Sequence, residues 1–175
     1  MAVRNPFLLP AEVVPSHYDI SLKPDLQAFT FTGSESITLN VRKATKRVVL
    51  HAAEFKIGKA TVAQGNAQQA AAKIRYDAKL EAAVIEFAKP LKKGVATLAL
   101  DFTGELNDKM HGFYRTAYTV NGEKRWGAAT QFEATDARRC FPCWDEPAAK
   151  ASFRIALDVP EHMTALDRKS TRLNS

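Results

Sequence analysis

Apolar and polar residues alternate with period two in four separate runs of this 175-residue chain. In HYDISLKPDL, Tyr18, Ile20 and Leu22 fall on one face, while His17, Asp19, Ser21 and Lys23 fall on the other. SESITLNV sets Ile37, Leu39 and Val41 against Ser36, Thr38 and Asn40, and VATLALDF aligns Ala96, Leu98, Leu100 and Phe102. ASFRIALDVP aligns Phe153, Ile155, Leu157 and Val159 before it stops at Pro160. The pleat of a strand sends neighbouring side chains to opposite faces, so each run predicts a half-buried antiparallel strand. No stretch sustains the longer period of an extended amphipathic helix.

Turn chemistry separates these runs. Asn121-Gly122 lies between FYRTAYTV and EKRWGAATQF, which predicts a tight hairpin of the primed type. Lys92-Lys93-Gly94 and Thr32-Gly33 are further turn candidates. NAQQAAAKI is ambiguous, its alanines suiting either a short helix or a variable loop. Near the C-terminal third, DARR suits one brief helical turn, with Thr135 as N-cap and Asp136 near the positive end. The sum predicts an all-β fold, an antiparallel saddle-like β-sandwich, with no internal repeat and no low-complexity linker.

Composition narrows the class. At 46% hydrophobic and 25% charged residues, the chain has an ordinary globular balance and can bury a core. No apolar run approaches the roughly 18 residues of a bilayer span, so no membrane association is expected. The start, MAVRNPFLLPAEVVPSHY, lacks the basic, apolar, small-residue layout of a secretory signal. Two cysteines give no disulfide framework, which fits a reducing, cytoplasmic setting. The formal charge is +6; without the last nine residues, which carry a net +2, the body stands at +4 in dispersed lysines and arginines. That dispersal, without spaced aromatic motifs, argues against a nucleic-acid partner.

The densest candidate chemistry lies in TQFEATDARRCFPCWDEP, Thr130 to Pro147. Zinc wants about four ligands, or three plus water. Cys140 and Cys143 are the sole cysteines, and His17, His51, His111 and His162 are scattered, so no metal ligands are assigned within this chain. Cys140-Phe141-Pro142-Cys143 has the spacing of a redox pair, but Pro142 should end the preceding helical turn rather than place a thiol at a helix start. Two packed thiols are the simpler reading. In a strand through TQFE, Gln131 and Glu133 share one face and Phe132 takes the other. An amide and a carboxylate side by side make an acceptor-rich patch suited to an α-ammonium group. Spacing alone does not raise Glu133 above an ordinary solvated carboxylate.

These residues carry a resemblance. TQFEATDARRCFPCWDEPAAKASFRI resembles the N-terminal domain signature of the zinc aminopeptidases related to puromycin-sensitive and alanyl aminopeptidase. LLPAEVVPSHYDISLKPDL, FTGSESITLNV, VVLHAAEFKI and FTGELNDKMHGFYRT are similar to further pieces, in the same order. The resemblance implies a saddle-like β domain over residues 1–166, which precedes a thermolysin-like catalytic domain. It implies that Glu133 binds the free amino group of a peptide substrate and that Gln131 lines the first side-chain pocket. It also implies Zn²⁺ in the parent protein, held by ligands beyond this chain, with none bound by the fragment and no catalytic residue within it. The expected partners are the peptide's free N-terminus and the missing catalytic domain. DEP is expected to fix a turn through carboxylate bonds to backbone amides, Arg138 to pair with one of those carboxylates, and GFYR to serve packing and turn formation.

Residues 167–175, DRKSTRLNS, match the translation of a common sequencing-library adapter and are expected to be a non-native tail on a truncated chain. Two other readings stay open: a non-catalytic scaffold homologue of the same architecture, and a free-standing β-sandwich binding module.

Overall fold

A computed structural model describes residues 8–167. The expected tail therefore lies, apart from Asp167, outside the described residues. Ten strands follow in chain order. The first five are β1 Val13–Asp25, β2 Thr30–Val41, β3 Thr45–His51, β4 Phe55–Gln64 and β5 Ala67–Asp77. The others are β6 Ala82–Leu91, β7 Gly94–Glu105, β8 Gly112–Val120, β9 Glu123–Gln131 and β10 Ser152–Leu157. Eight form one curled sheet in the order β10-β1-β2-β7-β4-β5-β6-β3, and β8 and β9 form a separate hairpin.

The curl has a local origin. β5 pairs with β4 through Ala67–Ala70 and with β6 through Ala71–Asp77, with a register shift between Ala71 and Lys73. A bulge of this kind bends a strand and lets it serve two sheet faces. As a result Val48, Leu50, Ile85 and Phe87 from one arm join Tyr18, Ile37, Leu39 and Leu98 from the other in a single apolar core. The alternation in β1, β2 and β7 places its apolar members inward as expected. Asn121 and Gly122 have φ of 53° and 83° between the paired Val120 and Glu123, the two-residue hairpin that Asn-Gly predicts. Gly94 turns the chain from β6 into β7 with φ of 133°.

Three expectations fail for physical reasons. Thr32-Gly33 is no turn; both residues lie inside β2. A Cβ on Gly33 would stand 2.3 Å from the Phe102 ring of the opposing β7 residue, and one on Gly104 would stand 2.5 Å from the ring of Phe31. Each glycine is therefore a gap filled by the aromatic ring across the ladder, which covers bare backbone. NAQQAAAKI is neither helix nor loop but most of β5, because its neighbours β4 and β6 supply ladder bonds that outweigh the helix preference of alanine. The third is β10, which pairs parallel to β1 rather than antiparallel. It arrives after a long excursion, so no hairpin imposes direction. It is also not half buried: Phe153 and Ile155 are each 52% exposed, on the same face as the buried Tyr18 and Ile20 beside them.

One core position contradicts the pattern. Glu35 points inward from β2, opposite Ile20 and Leu100, and is only 4% exposed. Neither carboxylate oxygen has a hydrogen-bond partner among the described residues. Burial pushes its carboxyl well above the usual range, so the folded protein holds it protonated at pH values where the unfolded chain releases the proton. A raised carboxyl pKa makes folding less favourable as pH climbs past the unfolded value, by about 1.4 kcal/mol per pH unit until the folded group also titrates. Glu35→Gln removes that dependence. Urea unfolding at pH 5 and pH 7 should show the variant gaining on the parent as pH rises; parallel pH profiles for the two proteins would contradict a buried neutral acid.

Candidate substrate-anchoring site

Gln131 is the last residue of β9 and pairs with Gly112, the first of β8. There the chain leaves the hairpin. Phe132 turns inward and packs edge-to-face on Phe141, with ring centroids 6.0 Å apart. Gln131 and Glu133 both remain exposed, but β9 ends at Gln131, so the expected strand through TQFE stops short of Phe132 and Glu133, and Thr130, which alternation would turn inward with Phe132, is exposed as well. Residues 133–136 form a turn that contains a cis Glu133-Ala134 peptide bond. The Asp136 amide donates to the Phe132 carbonyl at 3.0 Å and closes the turn. The Glu133 amide donates to the Gln131 side-chain oxygen at 3.0 Å. That bond engages the amide oxygen that sequence assigned to the patch, which keeps a second lone pair, and the side chain remains exposed. The Glu133 carboxylate has no hydrogen-bond or ion-pair partner among the described residues.

A single 3-10 turn, Ala137–Arg139, follows. Asp136, not Thr135, occupies its N-cap position, and no side-chain cap bond forms. The Asp136 carboxylate faces charge instead, 3.3 Å from Arg139 Nε and 3.7 Å from His111 Nδ1. Arg139 itself fills space that any side chain on residue 112 would need: a Cβ on Gly112, whose φ is 65°, would stand 2.5 Å from Arg139 Cβ. Arg139 Nη2 donates to Glu81 at 2.6 Å, and its Nε lies 3.4 Å from Glu54. The Arg139 bond, with Arg138 beside it, holds the Glu81 carboxyl below its ordinary range.

Arg138 is the buried member of this group. Its Nε donates to Asp145 at 2.9 Å and its Nη1 to Glu81 at 3.2 Å. The expected pairing of Arg138 with a DEP carboxylate is therefore present. The turn mechanism expected of DEP is different, however. Asp145 accepts the Arg138 amide at 3.3 Å, and Glu146 accepts the amide of Leu9 at 2.6 Å, so these carboxylates join distant segments. The local turn is closed by the Ala149 amide on the Glu146 carbonyl. Beside them, the Asp145 amide donates to His51 Nδ1 at 3.1 Å, and burial with nearby Arg138 pushes His51 down to about 4. Cys140 and Cys143 are buried free thiols, both raised by burial and hence poor nucleophiles.

GFYR packs as expected. Phe113 is buried against Phe31, and Arg115 lies over the Phe29 ring and donates to the Leu106 carbonyl. The residues that sequence reading missed are Glu54, Glu81 and His111. Glu54 and Glu81 sit between strands at φ of 62° and 49°, and nothing in their sequence context marks them as partners of the 138–139 arginines.

The profile of the Peptidase M1 N-terminal domain matches residues 14–170. The chain belongs to this family. It is 49% identical over 162 residues to aminopeptidase M1 of Arabidopsis thaliana, an alignment covering 90% of this chain and 18% of that protein. It is 39% identical to the puromycin-sensitive aminopeptidase of Caenorhabditis elegans, across 90% of this chain and 17% of the relative. With endoplasmic reticulum aminopeptidase 1 of Rattus norvegicus the identity is 37%, across 91% and 18%. The chain thus spans a little under a fifth of the length of these relatives. In this M1 N-terminal domain, the turn that bears Glu133 leads into a segment fastened to the body through Arg138 and Arg139.

Removing Arg138 would leave the largely buried Asp145 carboxylate without its cation, while Glu81 would keep Arg139. Breaking a buried pair from one side typically costs about 3–5 kcal/mol. Arg138→Met should therefore lower unfolding stability by an amount in that range, read from chemical denaturation. A change below about 1 kcal/mol would show the network to be dispensable.

Proposed function

We propose that this chain is the substrate-anchoring N-terminal domain of a zinc metallo-aminopeptidase, which removes N-terminal residues from peptides. In this reading the Glu133 carboxylate receives the α-ammonium group of the substrate, and Gln131 lines the first side-chain pocket. The observation that carries it is an unpaired carboxylate on a turn whose flanking residues are all fastened: Gln131 by the ladder, Phe132 by the core, Asp136 by charge. Membership of the M1 N-terminal domain family and the names of its relatives support the same conclusion.

The chemistry follows from the groups. An exopeptidase must measure one residue from the chain end, and a fixed anion sets the distance from ammonium to scissile carbonyl. Once a neighbouring domain covers the site, an N-blocked peptide would leave a desolvated carboxylate without a partner, so selectivity arises from what stays unsatisfied. Among the described residues, no group of three or more His, Cys, Asp or Glu side chains is placed to hold a metal ion. In this reading the zinc ligands lie in polypeptide outside this chain. By itself the chain is inactive.

The apolar side chains exposed on β10, Phe153, Ile155 and Leu157, fit a surface that further polypeptide of the same protein covers. Two unoxidised buried thiols fit a cytoplasmic setting. No helix among the described residues is long and apolar enough to cross a membrane.

In the full-length protein, Glu133→Ala should weaken transition-state binding of peptides with a free amino terminus by about 2–5 kcal/mol, the range for truncating one member of a desolvated charge pair. Steady-state kinetics on aminoacyl amides measure it. Unchanged kcat/KM would end the assignment, and a downstream sequence lacking zinc ligands would favour the non-catalytic scaffold.

A further inference from the structure

The turn that carries Glu133 is held at its two ends by neighbouring residues of one segment. At the entry, Gln131 is paired with Gly112. At the exit, the Asp136 carboxylate stands 3.7 Å from the ring of His111, the residue before Gly112. His111 is fixed in turn, since Asn107 donates to its carbonyl at 2.9 Å and Glu54 lies 3.9 Å from its Nε2. The second contact of Asp136, Arg139, is clamped by Glu81 and Glu54 over the bare backbone of Gly112. Residues 111–112, 131 and 136 thus close a short frame around Glu133.

Within that frame the fastenings are unequal. Ala134 and Thr135 are exposed, and neither has a hydrogen bond or ion pair of its own among the described residues. Glu133 is joined to the body only through its own amide. Beyond Phe132, the one side chain of the turn that reaches back to the body is that of Asp136, and it does so by charge, since Arg139 Nε lies near it without a hydrogen bond.

We propose that Asp136 is a positioning residue for Glu133, and that its ion pair with Arg139 and its contact with the His111 ring set where the Glu133 carboxylate meets the substrate's ammonium group. The proposal rests on the reading of Glu133 as the amine anchor. Asp136 touches no substrate. Its loss would free the outer half of the turn to shift, and a displaced Glu133 carboxylate would bind the ammonium group more weakly.

The test is a double-mutant cycle in the full-length enzyme with aminoacyl amide substrates. Asp136→Asn keeps the shape and removes the charge. It should raise KM about five- to twentyfold and change kcat by less than about twofold, because the loss is in substrate binding. In a Glu133→Ala background the same change should have almost no further effect, because both act through one carboxylate. His111→Asn serves as the second variant and should shift KM in the same direction by a smaller factor. A merely structural Asp136 would lower the melting temperature and the active fraction, neither of which moves KM, and its effects would multiply with those of Glu133→Ala. Normal KM in both Asp136→Asn and His111→Asn, or multiplicative effects, alongside an impaired Glu133→Ala, would overturn the proposal and leave the anchor standing. A Glu133→Ala enzyme with normal kinetics would remove the anchor itself, and the positioning role with it.

Discussion

Arg138 is the point at which the C-terminal third of the domain is joined to the sheet. Its guanidinium reaches Asp145, seven residues on, and Glu81, fifty-seven residues back, from a nearly buried position. A charge in such a place is tolerable only when its donors find carboxylates, and then only that arrangement satisfies it. The surrounding bonds share its direction. The backbones of His51 and Cys143 exchange bonds of 2.7 and 3.0 Å, the Trp144 amide reaches the Tyr18 hydroxyl, and the Asp145 amide reaches His51. Together they tie the segment 138–146 to the sheet and bring Phe141 and Trp144 into the core. Because the Glu133 turn leads directly into this segment, whatever holds Arg138 also sets the starting point of the site.

The core combines two opposite solutions to awkward positions. Gly33 and Gly104 would be weak points in a central ladder, yet each receives a phenylalanine ring from the residue opposite, and the Phe31, Phe102 and Phe113 rings meet around them. Glu35 receives nothing comparable. It occupies an inward position between apolar neighbours and accepts neutrality instead of a partner. The first arrangement converts missing side chains into close packing; the second leaves a permanent local cost, carried by the remainder of a well-filled core.

Charge is distributed unevenly. The chain as a whole is +6. Around the turn that bears Glu133, however, Arg138 and Arg139 are outnumbered by Glu54, Glu81, Asp136 and Asp145, and Glu133 adds a fifth carboxylate. A local excess of negative charge favours approach of a cation over an anion, whatever the net charge of the molecule. The same carboxylates that immobilise the arginines thereby contribute to the field felt at Glu133.

Alternation along the chain was enough to place β1, β2 and β7 and to choose their inward faces. Asn121-Gly122 was enough to set the hairpin. These features depend on sterics within a few residues, which every strand obeys alike. Tertiary structure alone decided the rest. Gly33 looked like a turn because the ring that covers it belongs to another strand, and the alanines of β5 looked helical because their ladder partners are also elsewhere. β10 was legible as a strand, but its parallel pairing and its exposed face depend on what lies beside it. The frame around Glu133 is the extreme case, since His111, Glu54 and Glu81 reach it from separate loops. Such contacts exist only after strand register has brought distant residues together, and no local pattern encodes which distant charge will meet which.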